Sequence, residues 1–289
     1  MKLSSLAVGA AVLPGTAWAW GAAYFQALLR NDTQDYLAGV ATWADSLRYT
    51  KWGRFTGPFH YIDAKDSPPS YCGIDYERDC KQEGCVVSAI QNYTGQLLDP
   101  QLPYWDRVKA AKFVIHFVGD IHQPLHTEDV AKGGNGIHVT FDHVNFNLHH
   151  VWDTSIAEKL VGGRVRRQPY PAARQFADRL TEEIRLGKFN VSREGWLGDV
   201  ELADPVATAL AWAREGNAYV CSTVLPEGAE AISGQELGGE YYDKAAPVVE
   251  VQIAKAGYRL AAWLDLIASS INARETLKES LKESSMGDL

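Results

Sequence analysis

The chain has 289 residues, 46% of them hydrophobic, which is long enough to bury the core of one large domain or two small ones. Its 28 basic and 36 acidic side chains leave a formal net charge of −8, which excludes recognition of a polyanion through a broad basic face and makes any phosphate ligand depend on a local cationic centre. No stretch approaches twenty uninterrupted apolar residues, so no membrane span is expected.

At the amino end, Lys2, an apolar run from Leu6 to Leu13, and Ala17 and Ala19 at the minus-three and minus-one places read as a secretory leader over residues 1–19. The mature, extracellular chain then begins at Trp20. Export makes the four cysteines a disulfide set. Cys80 and Cys85 enclose only KQEG and make a plausible local loop, which leaves Cys72 to join Cys221, although four cysteines allow three pairings. Sequons at Asn31, Asn92 and Asn190 fit an exported glycoprotein.

From Thr33, Leu37, Val40, Ala41, Ala44 and Leu47 fall at helical spacing and predict a helix with Asp45 near its end. Residues 63–85, rich in turn formers, read as an irregular loop stapled by cysteines. A helix starting near Pro103 carries the stripe Val108, Ala111, Ile115 and Val118, places His116 and Asp120 on another face, and stops before Pro124. GGNGIHVTFDH predicts a short hairpin. Helical spacing returns in LHHVWDTSIAEKL, AARQFADRLTEEIRLG, DPVATALAWAREGNAYV and AAPVVEVQIAKAGYRLAAWLDLIAS. The expected fold is mainly α with one short β-hairpin, in one domain over residues 20–272. The polar residues 273–289 read as a tail of frayed helix or disorder without a lipid-anchor signal.

Seven of the eight histidines fall between His116 and His150. His116 with Asp120 and His149 with Asp153 are four apart, so on a helix each pair projects from one face. One such pair is commonly a surface ion pair. Two of them, with His126 after a helix-ending proline and upstream Asp45 and His60, make a metal site. Nitrogen and carboxylate ligands without thiolate suit zinc, with manganese or iron as alternatives, and the set exceeds what one tetrahedral ion needs, so at least two ions are expected. His122, His138, His143 and His150 are surplus and read as surface or supporting residues.

These residues resemble a known family, the secreted zinc-dependent, single-strand-specific nucleases of fungi and plants, also called class I nucleases. WGA at Trp20, ATWAD, FHYIDAKDSPP, DYERDC, FVIHFVGDIHQPLH, GGNGI, NLHHVWD and IAKAGYRLAAW follow its order from Trp20 to about Ser269. The resemblance implies a multi-helix single domain distantly related to zinc phospholipase C, and three zinc ions. Asp45, His60, His116 and Asp120 would hold the first, and His126, His149 and Asp153 the second. The third would take the amino group and carbonyl of Trp20, a histidine five residues later, and Asp120. Asp45 would orient the attacking water and Arg48 would stabilise charge on the transition state. Tyr61 would stack on a base and Asp63 would bond its edge, with Gly133, Gly134 and Asn135 shaping the pocket. The implied substrates are single-stranded DNA and RNA, cleaved to 5′-phosphates, and 3′-mononucleotides, with the chain a monomer lacking a stable protein or membrane partner.

The chain departs from that family after WGA. The family continues roughly as WGALGH and then a helix of about twenty residues, whereas this chain reads WGAAYFQALLRND, with no histidine before His60. A true variant and a coding-sequence error are both open. As written, the third site lacks an imidazole, which motivates the alternative of a catalytically impaired zinc-binding glycoprotein; the shared metal scaffold itself leaves a phospholipase C-like phosphodiesterase as the other alternative.

Overall fold

A computed structural model of the chain describes residues 19–31, 33, 36–163, 169–189 and 193–287. The leader up to residue 18 and the sequon at Asn190 lie outside the described residues. The elements in chain order are α1 (Ala19–Leu29), α2 (Trp43–Arg48), a 3₁₀ helix (Arg54–His60), α3 (Tyr76–Asp79), α4 (Val86–Leu98) and α5 (Tyr104–Asp120). A second 3₁₀ helix (Pro124–Thr127), β1 (His138–Phe141) and β2 (Val144–Asn147) follow. Then come α6 (Leu148–His150), a π turn (Val151–Ser155), α7 (Ile156–Leu160), α8 (Pro169–Arg185), α9 (Arg193–Leu197), α10 (Pro205–Tyr219), a π turn (Val220–Val224), α11 (Ala229–Ile232) and α12 (Glu240–Gly287).

The described residues are therefore mainly helical with one antiparallel hairpin, as the sequence predicts. The buried side chains of these elements form one contiguous cluster, with Trp152, Trp212, Trp263, Phe25 and Phe117 among the largest fully buried. α12 runs through it and packs against α1, α5, α7 and α8. α5 is buried nearly all round, including His116 and Asp120, so the stripe read from its sequence is only part of its covered surface. α12 continues to Gly287, through the residues read as tail.

Two local readings change. The helix expected from Thr33 is only Trp43–Arg48; residues 36–42 form turns closed by i to i+3 bonds such as Val40 N to Leu37 O (3.1 Å) and Trp43 N to Val40 O (3.0 Å). Tyr36, Leu37 and Ala38 are buried in succession, a wider covered surface than the single stripe the spacing implies. In addition, α4 occupies residues the sequence reading leaves unassigned, although Val86, Ile90, Tyr93 and Leu97 stand at helical spacing and are all buried.

Where the chain leaves the family pattern it still builds a packed helix. Phe25 and Leu28 of α1 enter the core, α1 lies against α12 and α5, and the Tyr104 hydroxyl donates to the Leu28 carbonyl (2.7 Å). The Cys72–Cys221 and Cys80–Cys85 disulfides are both formed, which selects one of the three possible pairings.

Candidate metal centre

Three elements deliver the first constellation. α2 presents Asp45, the 3₁₀ helix Arg54–His60 ends on His60, and α5 supplies His116 and Asp120 one turn apart. His116 donates from Nδ1 to the Ala41 carbonyl (2.5 Å), which leaves Nε2 as an acceptor. That Nε2 lies 3.0 Å from His60 Nδ1, 2.9 Å from Asp120 Oδ2 and 3.6 Å from Asp45 Oδ1. His60 Nδ1 is 2.8 Å from Asp120 Oδ2. Burial pushes the His60 imidazole down to about 4, against the pull of Asp120, so the ring is neutral at neutral pH.

The second constellation is built around Pro124 and the π turn. His126 sits in the 3₁₀ helix Pro124–Thr127 and donates from Nδ1 to the His60 carbonyl (2.9 Å), tying it to the first group. His149 donates from Nδ1 to the Gly133 carbonyl (2.7 Å). Their Nε2 atoms then face Asp153, at 3.2 Å and 3.3 Å, and the two rings stack at 5.1 Å. Asp120 joins the two groups: its Oδ2 faces His60 and His116, and its Oδ1 lies 3.5 Å from His126.

In each group (Asp45 with His60 and His116, and His126 with His149 and Asp153), potential ligand atoms lie within 4.8 Å of one another. For His116, His126 and His149, the outward ring nitrogen is spent on a backbone carbonyl, so the inward one offers a lone pair. Such lone pairs facing carboxylate oxygens in a buried site need a proton or a metal ion between them, and the carbonyls do what orienting partners of metal-bound histidines do. The residues fit zinc on this ground, as an N/O donor set without thiolate.

The remaining candidates take various places. Arg48 lies 3.8 Å from Asp45 Oδ1 and donates to the Tyr49 hydroxyl (3.1 Å). Tyr61 presents a partly exposed ring, while its carbonyl accepts from Val86 N (2.9 Å) and the next residue, Ile62, donates to the His126 carbonyl (2.8 Å). Asp63 is ion-paired with Lys81 beside a small cleft of about 30 Å³ that Tyr61 also lines. Gly133 and Gly134 sit against Leu125 and His149; at Gly133 φ is +59° and a Cβ would meet the Leu125 carbonyl at 2.7 Å, so only glycine fits. The Asn135 amide turns back to the Lys132 carbonyl (2.8 Å). Trp20 belongs to α1, and its side chain lies outside the described residues.

Among the surplus histidines, His138 and His143 are exposed and His150 stacks on Phe146 at 4.6 Å. His122 is not on the surface. It is buried, donates to the Val118 carbonyl (2.7 Å) and accepts from Arg259 (3.0 Å), because it falls on the inner side of the α5 terminus. The sequence reading misses Gln123, whose amide donates to Asp153 Oδ1 (2.9 Å) while its carbonyl caps Leu125 N (2.5 Å). A polar residue between a histidine pair and a helix-starting proline is its sequence signal.

A family profile described as S1/P1 Nuclease matches residues 19–269. The chain is similar to Nuclease S1 of Aspergillus oryzae, 51% identical over 85% of this chain and 84% of that protein. It is similar to Nuclease P1 of Penicillium citrinum, 42% identical over 86% and 91%, and to Endonuclease 4 of Arabidopsis thaliana, 32% identical over 84% and 81%.

Proposed function

Because the chain belongs to the S1/P1 nuclease family and is a phosphoric ester hydrolase, we propose that it is a zinc-dependent endonuclease for single-stranded DNA and RNA. In this reading it yields 5′-phosphate products and also removes 3′-phosphates from mononucleotides. The observation that carries the reading is the pair of buried histidine–aspartate constellations joined through Asp120. Bound zinc would supply Lewis acidity toward a phosphate and acidify a water beside it.

The chain's own residues then divide the work. Asp45, 19% exposed at the rim of the first group, orients the attacking water and accepts its proton. Arg48, beside it, offers a guanidinium to the charge that grows on the phosphoryl oxygens. Tyr61, anchored on both sides by backbone bonds, stacks on an unpaired base, which a duplex cannot offer, while Asp63 bonds the base edge. Gly133, Gly134 and Asn135 shape that pocket.

A phospholipase reading is not favoured, since the similar proteins are nucleases by name. Secretion with removal of residues 1–19 is part of the proposal and rests on the leader pattern. So is glycosylation, for which the exposed Asn92 on α4 is better placed than the half-buried Asn31, whose Oδ1 accepts from Thr33. A third ion would need the Trp20 amine, which exists only after cleavage.

Purified mature protein should degrade single-stranded DNA and RNA faster than duplex, stop with chelator, and recover with zinc. Natively folded protein that hydrolyses neither strand at any zinc concentration would refute the reading. Native mass spectrometry should count at least two zinc ions per chain, and a third only if Trp20 binds.

A further inference from the structure

Between Asp45 and Asp63 the chain carries no acidic residue, in a protein of net charge −8. Within that interval, residues 48–56 read RYT KWG RFT, three successive triplets of cation, aromatic and small residue. The backbone there is built of turns and a 3₁₀ helix, in which residues three apart share a face.

The three registers separate accordingly. In the third register Gly53 and Thr56 turn inward and are buried, while Thr50 stays exposed; Gly53 N donates to Thr50 O (3.3 Å) and Thr56 Oγ1 to Gly53 O (2.7 Å). A side chain at Gly53 would put its Cβ 2.2 Å from the Leu47 carbonyl oxygen, so the turn closes only on glycine. Facing outward are Tyr49, Trp52 and Phe55, 74%, 81% and 64% exposed, a row of rings rather than a single exposed side chain, the kind of surface that marks an interaction site. Cations accompany them: Arg48 lies 5.1 Å from the Tyr49 ring centroid, Lys51 lies 5.6 Å from that of Trp52, and Arg54 is exposed beside Phe55.

Both ends of this strip are anchored in the candidate site. Asp45 and Arg48 begin it on α2, and the 3₁₀ helix that carries Phe55 ends on His60, next to Tyr61. We infer that the strip Arg48–Phe55 is an extended track for single-stranded nucleic acid, in which Tyr49, Trp52 and Phe55 stack on bases beyond the one at Tyr61 and Lys51 and Arg54 meet the phosphates. Interleaved rings and cations are what sequence-tolerant single-strand binding requires. The local charge is complementary to a polyanion that the molecule as a whole repels. This inference rests on the proposed nuclease reading and extends it from one nucleotide to several.

The test uses zinc-loaded full-length mature chain and two substrates, thymidine dodecamer and the dinucleotide TpT. Trp52→Ala and the double variant Trp52→Ala/Phe55→Ala should lower the ratio of kcat/KM for dodecamer over dinucleotide by about tenfold for each ring lost. In an Asp45→Asn background, whose slowed turnover leaves the substrate intact during the binding measurement, Lys51→Gln and Arg54→Gln should each reduce the slope of log affinity against log salt by about 0.7. A ratio and a slope both unchanged would overturn the inference. So would a wild type that sediments as a dimer and a double variant that sediments as a monomer, since the rings would then be an interface between copies. If wild type cleaves neither substrate, the nuclease reading falls, and the salt slope alone still decides the track.

Discussion

Asp45 differs from the other proposed ligands of the first group in one respect that decides its use. His60, His116, Asp120 and His126 are closed off from solvent, whereas Asp45 stays partly exposed and lies 3.8 Å from Arg48. A buried carboxylate among ligands serves the ion; one at the rim also meets the incoming water. Asp45→Asn keeps the shape and removes the basicity. It should lower kcat at least about 100-fold while leaving the circular dichroism spectrum native. Turnover within a few fold of wild type would remove Asp45 from the chemistry. The two histidine–aspartate pairs are legible from their spacing, because a helix converts four-residue spacing into one face. What brings Asp45 and His60 to α5 was not readable from spacing, since it depends on the Ala41 and His60 carbonyls that orient His116 and His126.

At the scale of elements, the β1–β2 hairpin shows how a charge can hold a turn. Asp142 and His143 sit at φ +49° and +65°, the two-residue turn that suits hairpin twist but costs non-glycine residues. Glu236 offsets that cost by accepting the amides of Asp142 (2.8 Å), His143 (3.0 Å) and Gly238 (2.7 Å). Burial alone would raise its carboxyl, but bonds from Thr140 and these amides outweigh it and bring the group down to about 2. With the folded value below the unfolded one, near 4.5, the ionised group stabilises the fold above that value, and the contribution fades as pH falls toward 2. Wild type should therefore lose more thermal stability between pH 5 and pH 3 than Glu236→Gln does; parallel melting curves would dissociate Glu236 from the turn. The hairpin itself was legible from the glycine turn and the alternation of Ile137, Val139 and Phe141, whereas its clamp, 94 residues from Asp142, was not. The long periodic helices were legible for the same local reason. Residues 36–42 keep the apolar spacing but close as i to i+3 turns, so there the period alone overstates the helix, and the RYT KWG RFT triplets show that a period of three carries a signal of its own.

At the scale of the whole molecule, the two disulfides do unequal work. Cys72–Cys221 ties the loop before α3 to the π turn after α10, 149 residues later, and so joins the half of the chain that builds the first constellation to the helices packed behind it. Cys80–Cys85 closes a separation of 5. Since a cross-link stabilises mainly by restricting the unfolded chain, and the restriction grows with the logarithm of the loop, the long bridge should contribute about 5 kcal/mol and the short one about 2 kcal/mol. Cys72→Ala/Cys221→Ala should thus lower the urea midpoint at least about twofold more than Cys80→Ala/Cys85→Ala, when both are measured at the same zinc concentration. The zinc must be fixed because ions that bind only the folded state add their own stabilisation by mass action. That linkage also sharpens the measurement. If the long bridge preserves the arrangement of the ligand-bearing segments, its loss should reduce the midpoint shift produced by zinc. An unaltered zinc-dependent shift would confine the bridge to the unfolded chain.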